Sequence, residues 1–300
     1  MEYSDANSYF IRRFGVKVYK AAISLDVTCP NRDGTKGNGG CVFCSSGGSG
    51  EFSQDHLLSV TEQIDRAIEA LKRKSGRECR YIAYFQSFTN TYISADILRE
   101  KIAEAMAHPL VVMVSIATRP DCLPDDILDV LADANKVKPI MVELGLQTMH
   151  DETAKWFNRC YETRVFGEAV TKLKEAGCEV ICHLIFGLKG ESEEMMLQSV
   201  KFAAETGIDG IKFTCLYVLK GTRLYDEYLA GQIKPLEMDE YFDIVEKALE
   251  ILPEDIIVHR LTGDGPKKIL VAPMWTANKR NVVNYINRRF QPRRAGGDRS

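Results

Sequence analysis

The sequence predicts an α/β protein built on parallel strands, and two observations support that class. Apolar, β-branched runs alternate with amphipathic helical segments along most of the 300 residues, as in repeated βαβ units. The runs are apolar at most positions, which is typical of strands buried on both faces. A (β/α) barrel, complete or partial, and a doubly wound sheet both fit this pattern. At 45% hydrophobic and 27% charged residues, the composition excludes a disordered chain and a disulfide-stabilised miniprotein.

Seven strands are predicted, each followed by a helix or a loop. They cover residues 19–27, 80–88, 111–118, 140–148, 179–187, 210–218 and 256–262. Helix ends support the alternation, because Ser59 with Glu62 forms a capping box, Ser94 and Ser192 can act as N-caps, and Gly177 and Gly207 can end helices. All strands in such units place their carboxyl ends at one edge of the sheet.

The charge and the hydropathy of the chain indicate which partners and which cellular location to expect. The net charge of -3 and the pI near 6.0 argue against a protein whose whole surface is basic and binds a polyanion. No stretch approaches the ~20 apolar residues of a membrane helix, so we expect a cytoplasmic protein that does not bind a membrane. The segment from Lys279 onward holds seven Lys or Arg and a single acid, and disorder is predicted from Pro292.

The loop after the first strand carries the strongest chemical signal. Cys29, Cys41 and Cys44 stand there as C-x11-C-x2-C within a glycine-rich segment. A closed zinc site needs a fourth ligand, and the nearest later candidates, His56 and Cys79, lack finger-like spacing. Three cysteines on a [4Fe-4S] cluster leave one iron open, and that iron can chelate the amino and carboxylate groups of S-adenosylmethionine (SAM). A surface loop with three incidental thiols is the alternative.

The other six cysteines are scattered, and we expect all of them to be buried structural thiols. They are Cys79, Cys122, Cys160, Cys178, Cys182 and Cys215. This distribution argues against a second cluster.

Eight segments extend the signal beyond the loop. In order, they are KVYKAAISLDVTCPNRDGT, GGCVFCSSGGSGEF, YFQSFTNTY, ATRPD, VELGLQT, CHLIFGLKGE, KFTCLYVLKGT and HRLTGDGP. Over roughly residues 9–287 they resemble the radical SAM superfamily, specifically its YhcC/YtqA-type branch, which is related to the Elongator catalytic subunit. The superfamily's usual C-x3-C-x2-C is widened here, as in that branch. The resemblance implies a partial (β/α)6-type barrel over residues 1–270, with a short C-terminal extension over residues 271–300.

The resemblance also implies the cofactors, a [4Fe-4S] cluster on Cys29, Cys41 and Cys44 and SAM beside it. The residues that would contact SAM are Phe43 near the adenine; Gln86, Ser87, Thr89 and Asn90 near the amino group; Glu143 and Gln147 on the fourth predicted strand; Arg159 near the methionine carboxylate; and His183, Ile185 and Gly187 near adenine and ribose. Related enzymes bind the methionine amino group with a Gly-Gly-Glu-like stretch at the end of the second strand, and this sequence has no Gly-Gly there. Each residue has a structural alternative: core packing, turn formation or an ordinary ion pair.

Further residues could meet a substrate. Lys212, Tyr217, Lys220 and Arg260 lie on or just beyond the last two predicted strands, and the basic C-terminal segment includes Arg288, Arg289, Arg293 and Arg294. Together they could contact RNA phosphates, although a basic terminus is usually a solvated tail.

The resemblance implies a tRNA-modifying enzyme that converts a carboxymethylaminomethyl group at C5 of the wobble uridine to aminomethyl. Its expected partners are tRNA and an electron donor such as flavodoxin or ferredoxin. Two alternatives remain at this point: a radical SAM enzyme acting on a small metabolite, and a zinc-stabilised RNA-binding module.

Overall fold

The computed structural model describes residues 2–48, 50, 53–75 and 78–292. The strands are β1 (Glu2–Tyr3), β2 (Lys17–Ile23), β3 (Cys79–Phe85), β4 (Val111–Thr118), β5 (Ile140–Gln147), β6 (Glu179–Phe186), β7 (Gly210–Cys215), β8 (Val218–Leu219), β9 (Ile257–Arg260), β10 (Leu270–Ala272) and β11 (Gln291–Pro292). The helices are α1 (Ala6–Phe14), α2 (Val60–Ser75), α3 (Ala95–Ala107), α4 (Asp125–Asn135), α5 (Asp151–Trp156), α6 (Arg164–Glu175), α7 (Glu193–Glu205), α8 (Arg223–Leu229), α9 (Met238–Ile251) and α10 (Lys279–Arg289), with a 3-10 turn at Met274–Ala277.

One parallel sheet organises the described residues. Its seven strands run in the order β2-β3-β4-β5-β6-β7-β9, so each helical crossover returns to a neighbouring position. The sheet curls into a partial barrel with helices outside, which confirms the predicted fold and all seven predicted strands. Most of the predicted strands end one to four residues too late. The residues just beyond the strands belong to loops that line the cavity described below, and their mixture of apolar and polar types does not mark where the strand stops.

Period-two alternation along the strands divides the barrel interior into layers. The layer nearest the amino ends of the strands is apolar and consists of Phe10, Ile82, Met113, Met141 and Ile181. Phe10 comes from α1, which packs against both β2 and β9. Two residues further along the strands the inward side chains are polar or charged, and beyond them the cavity begins. The interior is therefore closed at one end and open at the carboxyl ends of the strands.

Local helix signals position the outer layer. Ser59 and Glu62 form the predicted capping box, with the Ser59 amide 3.0 Å from Glu62 Oε2 and the Glu62 amide 3.2 Å from Ser59 Oγ. Ser192 Oγ accepts from the Met195 amide at 3.3 Å. Ser94 is the N-cap of α3 as predicted, but its side chain makes no capping hydrogen bond. Gly177, with φ of 77°, follows the end of α6.

The C-terminal segment departs from the prediction. Pro292 lies in β11, which pairs in parallel with β1, so the prediction of disorder is wrong for this residue. Residues 293–300, with Arg293 and Arg294, lie outside the described residues. Arg289 is paired with Asp243 at 2.6 Å and with Glu246. It therefore holds α10 against α9. No helix in the described part of the chain is long and apolar enough to span a bilayer.

Candidate active site

A cavity of about 440 Å³ opens at the carboxyl ends of the strands. The loop after β2, the ends of β3 to β7 and the segment after β9 all contribute to its wall. Its volume lies in the range of small-ligand sites. The barrel architecture therefore collects residues from the whole length of the chain around one space, as the parallel alternation predicts.

The three thiols of the glycine-rich loop lie on one wall of this cavity. Cys29, Cys41 and Cys44 all line it, and none is in a disulfide. Burial, followed by the neighbouring Cys44 and Cys29, raises the pKa of Cys41 to about 12. A buried thiol of this kind becomes a thiolate when it coordinates a metal, so the donor set fits an iron–sulfur cluster.

Two arginines lie beside the thiols. Arg32 Nη2 lies 3.1 Å from Cys44 Sγ, and Arg119 is one of the charges that lower the pKa of Cys41. Gly40 makes room for Arg32, because a Cβ there would lie 3.1 Å from Arg32 Nε, and its φ of 78° suits glycine. These cations would offset the negative charge that three thiolates bring to a cluster.

No group of three His, Cys, Asp or Glu side chains among the described residues is arranged to hold a single metal ion. The cysteines of a [4Fe-4S] cluster ligate different irons, so Cys29, Cys41 and Cys44 would not have to converge on a single ion to hold one.

Several predicted SAM-contacting residues line the same cavity as the thiols. They are Phe43, Gln86, Thr89, Glu143, Gln147, Arg159, His183 and Ile185. Phe43 packs against Phe157 with ring centroids 5.3 Å apart. Gln147 has φ of 63°, a left-handed conformation that is uncommon outside glycine. The structure thus brings together most of the predicted set.

Three predicted residues lie outside the cavity wall. Ser87 is buried with its hydroxyl 2.6 Å from that of Ser24. Asn90 is fully buried and donates to the carbonyls of Phe85 at 3.0 Å and Ala117 at 2.9 Å, which ties β3 to β4. Gly187, with φ of 91°, packs against Leu236. In this structure these residues shape the strand ends.

Arg159 lies at the cavity wall but uses all five of its donors within the protein. The acceptors are the carbonyls of Tyr161, Leu146 and Thr148, the Asp151 carboxylate and the Thr163 hydroxyl, at 2.6–3.1 Å. The side chain is 1% exposed. A guanidinium has five N–H donors, so none is left in this arrangement for a methionine carboxylate. Here Arg159 fixes the loop after β5.

Glu143 lies in the middle of a charged network in the barrel interior, and its side chain is 0% exposed. Its carboxylate pairs with both Lys20 and Lys212. It also accepts from Tyr84 at 2.7 Å, Ser115 at 3.0 Å and His183 at 2.9 Å. The carboxylate therefore has the polar environment that a buried Glu requires.

The network shifts the pKa values of its members. Burial alone would raise the pKa of Glu143, but Lys20 and Lys212 outweigh it and hold the value well below the usual range. Burial, with the charge of Lys212, lowers the pKa of His183 to about 4, so this imidazole is neutral at pH 7. Burial also lowers the pKa of Lys212, with contributions from Lys20 and Arg260 that Glu143 opposes.

Sequence reasoning missed some of these residues. Lys20 and Tyr84 point into the barrel from β2 and β3, and Arg119 lies in the ATRPD segment after β4; period two within each strand was the signal that could have found the first two. One cysteine prediction is wrong: Cys160 is exposed, because it lies in the tight turn after α5 with φ of 63°. The other five are buried as predicted.

Comparison with known families gives two matches along the chain. The model of the radical SAM superfamily matches residues 33–203, and the radical SAM C-terminal domain matches residues 208–291.

Similar proteins point the same way. YtqA of Bacillus subtilis is 42% identical over 291 residues, covering 97% of this chain and 90% of YtqA. Protein YhcC of Escherichia coli K12 is 34% identical, covering 89% of this chain and 85% of YhcC. The tRNA uridine(34) acetyltransferase of Methanocaldococcus infernus is 29% identical over 188 residues, which are 61% of this chain and 34% of that enzyme.

A solved structure shows the same fold. The archaeal Methanocaldococcus infernus Elp3 with an N-terminal deletion superposes with a TM-score of 0.67 at 20% identity, covering 90% of this chain and 63% of that one.

Proposed function

The chain belongs to the radical SAM superfamily, in a YhcC-type branch related to Elongator, and from that premise we propose that it modifies the wobble uridine of tRNA. The reaction we propose converts a carboxymethylaminomethyl group at C5 of this base to aminomethyl. The observation that carries the proposal is the similarity to an enzyme named for tRNA uridine 34 over 61% of this chain.

The superfamily uses a [4Fe-4S] cluster and SAM. We propose Cys29, Cys41 and Cys44 as the cluster ligands, since the three line one wall of the cavity. When bound, this pair of cofactors supplies a 5′-deoxyadenosyl radical, formed by reductive cleavage of SAM, that removes hydrogen from an unactivated carbon. Phe43, Gln86, Thr89 and other wall residues would enclose SAM and exclude water.

The chemistry of the proposed substrate balances. Loss of one hydrogen atom, one electron and one proton from the glycine-derived methylene gives an imine, and water hydrolyses it. The products are aminomethyluridine and glyoxylate. Of the two electrons removed from the substrate, one leaves with the hydrogen atom that the 5′-deoxyadenosyl radical takes, and the other balances the single electron that cleaves SAM. The protein's own task is to hold the splayed base in the cavity mouth, as single-stranded RNA bases commonly are held.

The setting we propose is the cytoplasm, where tRNA and a small electron-transfer protein such as flavodoxin or ferredoxin are available. The zinc-stabilised module considered above is not proposed, because the family uses an iron–sulfur cluster.

The test is nucleoside mass spectrometry of tRNA from cells with and without the gene. Cells without it should accumulate carboxymethylaminomethyluridine, and the wild-type gene should restore aminomethyluridine. The Cys44→Ala variant should fail to restore it, whereas the control Cys160→Ser, at an exposed thiol, should succeed. Unchanged wobble uridines would refute the proposed substrate, and a small-metabolite substrate would then be favoured.

A further inference from the structure

We propose that Arg260, with the hydroxyls of Tyr217 and Thr262, forms a subsite for an alkyl carboxylate on the substrate, at the part of the cavity built by β7 and β9. The inference rests on the proposed function and adds to it the group by which the substrate is recognised.

Strand register places three basic residue types side by side. His183, Lys212 and Arg260 occupy one row across β6, β7 and β9. Residues paired in this way on adjacent strands direct their side chains to the same face. This row borders the cavity through His183 and Arg260.

His183 is neutral at pH 7, and the cations in and beside this row outnumber the carboxylates that the described residues place against them. Lys20 and Lys212 share one carboxylate, that of Glu143. Arg260 hydrogen-bonds the Thr214 hydroxyl and, within the described residues, has no carboxylate within 4.0 Å. A guanidinium stays charged at any physiological pH, so an anion placed beside it would be stabilised.

Hydrogen-bonding groups around Arg260 are also unused. Arg260 Nε, Tyr217 Oη and Thr262 Oγ1 are all buried, and in the described part of the chain none has a partner at hydrogen-bonding distance, although the two hydroxyls are close neighbours. Buried polar atoms are rarely left unpaired. All three residues line the cavity, so a ligand bound there can pair with them.

A glycine keeps the space beside these groups open. A Cβ on Gly263 would lie 2.7 Å from Tyr217 Oη, 3.4 Å from Thr214 Cγ2 and 3.5 Å from Arg260 Cζ. Any larger residue would therefore intrude on the subsite.

The unpaired groups select the chemistry of the ligand. A guanidinium N–H can only donate, and a carboxylate can only accept; the two hydroxyls can donate to it as well. The proposed substrate carries one carboxylate, on the carboxymethyl group, and its product carries none. SAM also carries a carboxylate. SAM is expected beside the three thiols, however, and the cations next to the thiols are Arg32 and Arg119. We therefore assign the Arg260 subsite to the substrate.

The experiment measures binding by the reconstituted holoenzyme to two anticodon stem-loop RNAs. They differ only at the wobble uridine, which carries carboxymethylaminomethyl in one and aminomethyl in the other. Wild type should prefer the first by about tenfold or more, as expected for a charge-assisted interaction. Arg260→Gln should abolish the preference by weakening the first RNA alone. Arg260→Lys should recover part of it, and Gly263→Ala should reduce it without changing charge. The control Arg99→Gln, on the exposed face of α3, should match wild type.

Iron content and SAM affinity, measured on every variant, show that the holoenzyme is intact. The proposal is overturned if wild type does not distinguish the RNAs, if Arg260→Gln weakens both equally, or if it lowers SAM affinity and leaves the RNA preference unchanged. Product formation separates the two proposals. An active wild type whose RNA preference survives Arg260→Gln overturns the subsite alone. An Arg260-dependent preference without formation of aminomethyluridine supports the subsite and refutes the proposed reaction.

Discussion

Replacing Glu143 with Gln would leave two buried or half-buried lysines without their anion. The substitution keeps the shape of the side chain but removes its charge, and Lys212 is only 6% exposed. Breaking a buried pair by removing one partner costs about 3–5 kcal/mol. Lys20 is 25% exposed and can be partly solvated, so we expect the lower end, about 3 kcal/mol of the free energy of unfolding.

The assay is urea denaturation of the anaerobically prepared holoenzyme, followed by far-UV circular dichroism. The matched control is Glu168→Gln, because Glu168 pairs with Arg164 on the exposed face of α6; exposed pairs of this type contribute about 0.3–0.5 kcal/mol. The double variant Glu143→Gln/Lys212→Met should regain part of the lost stability, since it removes one of the uncompensated cations.

Two results would refute this reasoning. If Glu143→Gln costs no more than Glu168→Gln, the buried carboxylate does not hold the network together. If the double variant loses the sum of the two single losses, Glu143 and Lys212 are not energetically coupled.

Three further predictions concern other parts of the site. Arg159→Lys should lower the free energy of unfolding by about 3 kcal/mol, because three donors replace five and hydrogen bonds to charged groups are worth about 1.5–3 kcal/mol each. The control Arg164→Lys, at an exposed site, should change the urea midpoint little. Equal effects of the two substitutions would contradict the role of Arg159 in fixing the loop after β5. Wild type should lose stability as pH falls from the unfolded histidine pKa of about 6.5 towards the folded pKa of His183 of about 4, since the unfolded chain binds a proton that the folded one excludes. His183→Gln should flatten that part of the pH–stability curve, whereas His56→Gln, at a half-exposed site, should not; parallel curves would refute the assignment. Cys44→Ala should prevent incorporation of iron and sulfide, measured by elemental analysis and visible absorbance, and normal loading would refute the ligand assignment.

The sequence was sufficient for the sheet and for the thiol loop because both depend on local patterns. Long apolar runs identify buried parallel strands without knowledge of their neighbours. Cys29, Cys41 and Cys44 lie within one short segment, so their spacing alone indicates a shared site. By contrast β1, β8, β10 and β11 have two or three residues each, too few to show a period.

The roles of single polar residues depend on contacts that sequence does not reveal. In the sequence, Arg159 is a plausible residue to bind a carboxylate. In the structure, its N–H donors are occupied by acceptors that include the carbonyls of Leu146 and Thr148. Glu143 is matched by lysines 123 positions before it and 69 positions after it. Such distant partners are brought together by the closure of the sheet, which no local pattern encodes.

Closure of the sheet is itself incomplete, and this has a mechanical consequence. The edge strands β2 and β9 do not pair with each other in the described chain; α1 packs against both and inserts Phe10 below the charged layer. Besides the side-chain contacts of α1, a backbone hydrogen bond from the Val258 amide to the Ser4 carbonyl, at 2.7 Å, ties the segment before α1 to β9. The seam between β2 and β9 is therefore spanned by α1 and not by a backbone ladder, so α1 with Phe10 is the element that holds the two edges of the sheet together.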